Sequence, residues 1–223
     1  MKEEFLLNNV DAEDLEDLLL KVEDSFGIKF VDNDLISIST FGQLCDLVTN
    51  KIQLEDTDTC TSQQVFYKLR KEINSLSPLS ENKIFLGTPL LYVFPRKNRR
   101  LNVKLIENKL GFKLNILRPP HWAIVFFVIT LLLSFIYLFI SIKIGFLGVS
   151  FSMVGLWFLN KIGNELDLKT VRELVEKTTQ ENYVKSRRDS KSVNKKEIEQ
   201  ILTNWFSRVL FLDKSVLTKE SKF

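Results

Sequence analysis

Trp122-Ala-Ile-Val-Phe-Phe-Val-Ile-Thr-Leu-Leu-Leu-Ser-Phe-Ile-Tyr-Leu-Phe-Ile-Ser-Ile142, followed by Lys143-Ile144-Gly145 and then Phe146-Leu-Gly-Val-Ser-Phe-Ser-Met-Val-Gly-Leu-Trp-Phe-Leu159, decides the fold. Ala123 to Ile142 carries no charge. At helical rise it spans roughly 30 Å, the thickness of a bilayer core. Ile144 to Leu159 would span roughly 24 Å. Two apolar runs about an interruption at Lys143–Gly145 predict a hairpin of membrane-spanning helices over 121–162. Gly148, Ser152 and Gly155 recur on one helical face, as do Thr130 and Ser134 on the first run. Small residues let helices approach closely in lipid, so these faces are expected to meet. Neither run contains Asp, Glu or Arg, which argues against a transport or proton path.

The flanks set an expected topology. Lys104, Lys109, Lys113 and Arg118 precede the hairpin, Lys161, Lys169 and Arg172 follow it, and the turn offers only Lys143. Basic residues stay cytoplasmic, so both termini are expected there. Pro119-Pro120 stops the preceding segment, and His121-Trp122 reads as an interfacial anchor. The N-terminus, Met1-Lys-Glu-Glu-Phe-Leu-Leu-Asn-Asn, lacks the basic region and apolar core of a signal peptide.

Outside the hairpin the charge is uneven. Residues 1–60 hold 15 Asp/Glu and 4 Lys/Arg, or −11; the rest must hold +14 to reach the total of +3. His121 is the sole histidine, so a zinc site or histidine-based triad has too few ligands. Cys45 and Cys60 have no paired spacing and read as reduced thiols. No phosphate loop, serine elbow or acid pair is visible. The expected reading is non-enzymatic, with no cofactor, metal or catalytic residue.

Asp11 caps a helix whose Leu15, Leu18, Leu19, Val22 and Phe26 share one face, with acids opposite and Gly27 as its stop. Ile28-Lys-Phe-Val is extended, and Thr40 caps a second helix with Phe41, Leu44, Leu47 and Val48 inward. Two phrases here, Glu23-Asp24-Ser25-Phe26-Gly27-Ile28 and Thr40-Phe41-Gly42-Gln43-Leu44, resemble an acyl carrier protein from its second helix to its last. The resemblance covers about 40 residues. It implies a small helical bundle, so the expected class is all-α: carrier-like bundles plus the hairpin. Carriers attach phosphopantetheine to Ser in an Asp-Ser-Leu motif. By resemblance that position is Ala12, within Asp11-Ala12-Glu13, which offers no hydroxyl. Ser25 lies too far along the helix to replace it.

A second copy follows. Ile106-Glu107-Asn108-Lys109-Leu110-Gly111-Phe112 repeats Val22 to Ile28, and Thr170-Val171-Arg172-Glu173-Leu174 repeats Thr40 to Leu44. With a helix over Thr61–Asn74 as its first element, a second carrier-like unit would span about 61–184, split by the hairpin, and Arg96 would take the nucleophile position. The expected divisions are an acidic carrier-like domain over 1–58, a cytoplasmic segment over 61–120, the hairpin over 121–162, a cytoplasmic helix over 163–184, a flexible linker over 185–193 and a C-terminal helix over 194–223. Asn194 and Glu197 have capping-box spacing, and Ile198, Ile201, Leu202, Trp205, Phe206 and Val209 form the apolar face. This helix resembles a carrier's first helix. It either completes 11–54 as a circular permutation or binds another chain.

The resemblance implies a bacterial cytoplasmic membrane and enzymes of lipid or polyketide assembly as partners. The acids Glu13, Asp14, Glu16 and Asp17 would be the docking face. The basic run Arg96, Lys97, Arg99 and Arg100 is expected to contact lipid head groups; nucleic acid is not expected. A structural membrane protein whose bundles assemble with each other is the alternative, and a working carrier using another serine is a third.

Overall fold

The structure, a computed structural model, describes residues 11–36, 38–76, 84–189 and 191–222. The expectations for Met1 to Asn9 and for the two chain ends lie outside them. The fold is all-α. Helices are α1 Ala12–Phe26, α2 Asp32–Ile36, α3 Phe41–Lys51, α4 Thr61–Leu76, α5 Leu90–Val93, α6 Arg99–Leu110, α7 His121–Leu138, α8 Ile142–Ile162, α9 Val171–Glu181, α10 Tyr183–Ser186 and α11 Lys195–Val209. Among the described residues four two-residue strands form two ladders. β1 Glu55–Asp56 runs parallel to β4 Ser192–Val193, and β2 Leu117–Arg118 antiparallel to β3 Glu165–Leu166.

The chain divides into two compact units. The described residues of Met1–Glu81, Leu110–Phe112 and Val175–Phe223 form one; those of Asn82–Lys109 and Lys113–Leu174 form the other. α4 therefore falls in the first unit, not with α6 as the 61–120 division expected. Its first turn is held there by Glu197, whose carboxylate accepts from the Thr61 backbone N–H at 3.0 Å and from the Thr61 hydroxyl at 2.6 Å.

The core of the first unit joins α1 and α3 to α11. Leu18, Val22 and Phe26 of α1 and Phe41, Leu44 and Val48 of α3 share it with Ile198, Leu202, Trp205 and Phe206 of α11, and Leu15 and Leu19 pack at its edge. The Phe41 and Phe206 rings meet edge to face at 5.2 Å. The C-terminal helix thus packs on residues of 11–54 within the chain. Asn194 caps α11 by accepting from the Lys196 N–H. Glu197 does not close the capping box. It is turned to the orphan N–H groups at the start of α4, where a carboxylate also suits the helix dipole.

The described residues of segment 185–193 do not form a free linker. Arg187 is fully buried, and its guanidinium donates to Thr57 Oγ1 at 2.8 Å and Thr59 Oγ1 at 2.9 Å, and also to Thr61 Oγ1. Glu197 lies 4.0 Å from it. Ser192–Val193 is buried and paired with β1. A polar composition signals a linker only when nothing satisfies its polar groups. Here hydroxyls from residues 57–61 take up both terminal nitrogens of the buried guanidinium, while its Nε has no partner among the described residues.

In the second unit α7 and α8 pack as a hairpin. Their lengths are about 27 and 31 Å at helical rise, long enough to cross a membrane. The turn lies at Phe139–Ser141, ahead of the expected Lys143–Gly145, which form the first turn of α8. A terminal Lys does not stop a helix, since its ammonium can reach polar surroundings, and Gly145 lets α8 pass close to Leu138. The two small-residue faces meet. A Cβ on Gly148 would collide with Ser134, and one on Gly155 with Phe127, while Ser134 and Ser152 are buried.

Candidate functional site

The acidic face is built on α1. Asp11, in extended conformation, caps it by accepting from the Glu13 N–H at 3.0 Å. Ala12 is the first helical residue and is exposed. With Leu15, Glu16, Leu19, Leu35, Ile38 and Leu44 it lines a mainly apolar groove of about 280 Å³. Glu13, Asp14, Glu16 and Asp17 are exposed. Among the described residues none of the four has an ion-pair partner. Of the four acids only Glu16 lines the groove; Glu13, Asp14 and Asp17 are exposed elsewhere on the same helix. Leu35 and Ile38, half-buried on its wall, carried no sequence signal because they come from the short α2 and the loop after it.

Ser25 has no free hydroxyl. It is buried, donates to the Gln180 carbonyl and accepts from the Tyr183 N–H at 3.0 Å. Both partners are distant in the chain, so sequence spacing could not reveal this role. Arg96 is exposed and pairs with Glu165 at 2.7 Å.

The basic run divides. Arg96, Lys97 and Arg100 are exposed, but Arg99 is only 2% exposed and cannot meet a head group as expected. Its Nε donates to the Phe94 carbonyl at 2.9 Å and its Nη1 to the Asn164 carbonyl at 2.5 Å. Burial lowers its pKa, which the nearby Glu165 partly offsets. Arg99 is a joint between three pieces of chain, not a surface charge.

Neither thiol is activated. Burial pushes the Cys45 thiol up to about 12, and burial also raises that of Cys60. No cluster of three or more His, Cys, Asp or Glu that could hold a metal occurs among the described residues.

Two passages share one geometry. Glu23 accepts from the Phe30 N–H at 2.5 Å and pairs with Lys29 at 2.8 Å; Glu107 accepts from the Leu114 N–H at 2.8 Å and pairs with Lys113 at 3.3 Å. Gly27 and Gly111 between them take φ of +65° and +79°. Thr40 with Gln43 and Thr170 with Glu173 cap the following helices alike. The backbone N–H groups of Phe41 and Gly42 donate to the Ser221 and Lys219 carbonyls, and those of Val171 and Arg172 to Thr88 and Leu86. Each acceptor loop closes on its own hydroxyl, Ser221 for the Thr218 N–H and Thr88 for the Phe85 N–H, both at 2.9 Å.

No family model, curated protein or solved structure gives a significant match to this chain.

Proposed function

We propose that this protein is a membrane-anchored, non-enzymatic interaction module that presents the acidic face of α1 to a basic partner at the cytoplasmic side of a bacterial inner membrane. Four exposed carboxylates on α1, without an ion-pair partner among the described residues and with Glu16 at the edge of an apolar groove, carry this reading. Unpaired exposed charge costs little in water and steers encounter with a surface of opposite sign, while the groove adds apolar area on contact. By the carrier resemblance, the partner is an enzyme of lipid or polyketide assembly. Ala12 at the attachment position retains the docking surface without the arm.

The outward side chains of the hairpin support the anchor. Phe126, Ile129, Leu133 and Ile136 of α7, and Phe151, Val154 and Phe158 of α8, are exposed, an arrangement costly in water and favourable in lipid. Trp122 begins α7 and Trp157 is near the end of α8, so antiparallel packing puts both at one level, where Lys161 lies 4.9 Å over the Trp157 ring.

The test uses the full chain in detergent as bait for basic enzymes of lipid assembly. Binding that fades with added salt, and is lost in a Glu13→Lys, Asp17→Lys variant, supports the reading. Self-association without capture of such an enzyme would replace it with the structural alternative. Gain of a phosphopantetheine arm on incubation with coenzyme A and a broad-specificity transferase would show a working carrier.

A further inference from the structure

We propose that the corner between α5 and α6 is a lipid-binding surface that seats on the anionic head groups of the bilayer crossed by α7 and α8. Leu91, Tyr92 and Leu101 enter the head-group boundary, while Lys97, Arg100 and Lys104 meet phosphates. The inference rests on the membrane reading of the hairpin.

Three observations converge. The apolar groups are open, with Leu91 64%, Tyr92 75% and Leu101 59% exposed. Residues 82–106 contain no Asp or Glu, so no carboxylate of this stretch opposes the cations. On α6, Arg99, Val103 and Ile106 are buried. The opposite side therefore presents Arg100 and Lys104 one turn apart, with Leu101 and Leu105 beside them. Apolar groups interleaved with cations on one helix face suit a bilayer interface.

Continuity with the span end selects the bilayer over a soluble partner. Arg100 Nη2 donates to the Lys161 carbonyl, in the last turn of α8, at 2.8 Å. Arg99 ties the end of α5 at Phe94 to Asn164, two residues beyond α8. The first turn of α6 is thereby held where α8 leaves the membrane, at the depth of phosphates. The buried Arg99 is a positioning residue for this corner, which explains a guanidinium spent on two carbonyls.

Spin labels on the full chain test this. Cys60→Ser removes the exposed thiol, and Cys45, buried and with its pKa raised to about 12, does not label. Labels are placed singly at Leu101→Cys and, within the hairpin, at Phe135→Cys. The protein is reconstituted in discs of phosphatidylcholine alone or mixed with phosphatidylglycerol. Collision rates with oxygen, which favours lipid, and with a water-soluble nickel complex are compared. The expected result is oxygen-dominated relaxation at Phe135 in all discs. At Leu101 the ratio should reverse from nickel-dominated to oxygen-dominated when phosphatidylglycerol is present, and revert with Lys97→Glu and Lys104→Glu. A lipid-facing Phe135 with a water-facing Leu101 in both lipids overturns the surface and leaves the spans standing. Water-facing labels at both sites overturn both. A Leu101 label shielded from both reagents assigns the face to a protein and overturns the proposal, as does indifference to phosphatidylglycerol or to charge reversal.

Discussion

Glu23 and Glu107 sit in passages with the same hydrogen bonds, yet the two passages are completed differently. In the second, the loop that receives the Val171 and Arg172 N–H groups is residues 86–88, which precede α6 in the chain. In the first, the loop that receives Phe41 and Gly42 is residues 219–221, near the other end of the sequence. The second passage also holds α7 and α8 between its glutamate and its capping threonine, where the described residues of the first hold the end of α1, a short loop and α2. Local geometry survives both changes because each bond depends on a few residues around a left-handed glycine and a capped helix start. Chain connectivity enters only through the cost of closing the loop, which grows slowly with length.

The largest effect expected from breaking this comparison is at Trp205. It is 4% exposed in the core shared by α1, α3 and α11. Trp205→Ala should remove about 3–5 kcal/mol, a sizeable part of a small domain's stability. Hydrogen exchange of residues 11–26 should accelerate, although they lie at the opposite end of the sequence. Unchanged protection there would show that α11 does not complete this core.

The glutamates give a smaller effect that sharpens the comparison. Glu23→Ala leaves the Phe30 N–H without its acceptor, and Glu107→Ala does the same to Leu114; each should cost about 1–3 kcal/mol. Chemical denaturation of each variant, read by exchange in its own unit, checks this. The Glu23 carboxyl is held below its usual range chiefly by the Lys29 ammonium, aided by the Phe30 N–H and opposed by burial. Its folded pKa is therefore below the unfolded one. The stabilisation is complete above the unfolded value, near 4.5, and is lost as pH falls from there through the lower folded value. Glu23→Gln should flatten that part of the acid limb of the stability curve; an unaltered limb would remove Glu23 from the account.

The smallest effect belongs to the glycines. No atom would crowd a Cβ at Gly27 or Gly111, so alanine there meets only the penalty of positive φ, about 1–2 kcal/mol at each. Equal losses in melting experiments would support the equivalence of the two turns. A clear inequality would show that one turn has slack the other lacks.

Much of the helical layout was legible because its signals are local. Asp11, Thr40 and Asn194 cap the helices that follow them, and Gly27 ends α1 in the left-handed conformation. Leu18, Val22 and Phe26 recur at helical spacing and are buried. The apolar length of the hairpin and its small-residue seam were readable for the same reason, since each is a property of a few turns of one helix or of two adjacent ones. The acids of α1 were readable as a charged face, but not the groove beside them, whose far wall comes from α2 and its following loop.

What the sequence by itself determined is the longer capped helices such as α1, α3 and α11, their apolar faces and the two runs long enough to cross a membrane, because propensity, capping and periodicity act within a few residues. Only tertiary structure decided where polar groups without a local partner are satisfied. It turned Ser25 to Gln180 and Tyr183, Glu197 to the start of α4, and Arg99 to Asn164. It also made a buried hub of Arg187 in a stretch whose composition resembles a linker. Most buried donors and acceptors find a partner somewhere, and for these four residues the partners named came from segments distant in the chain, beyond the reach of any spacing rule.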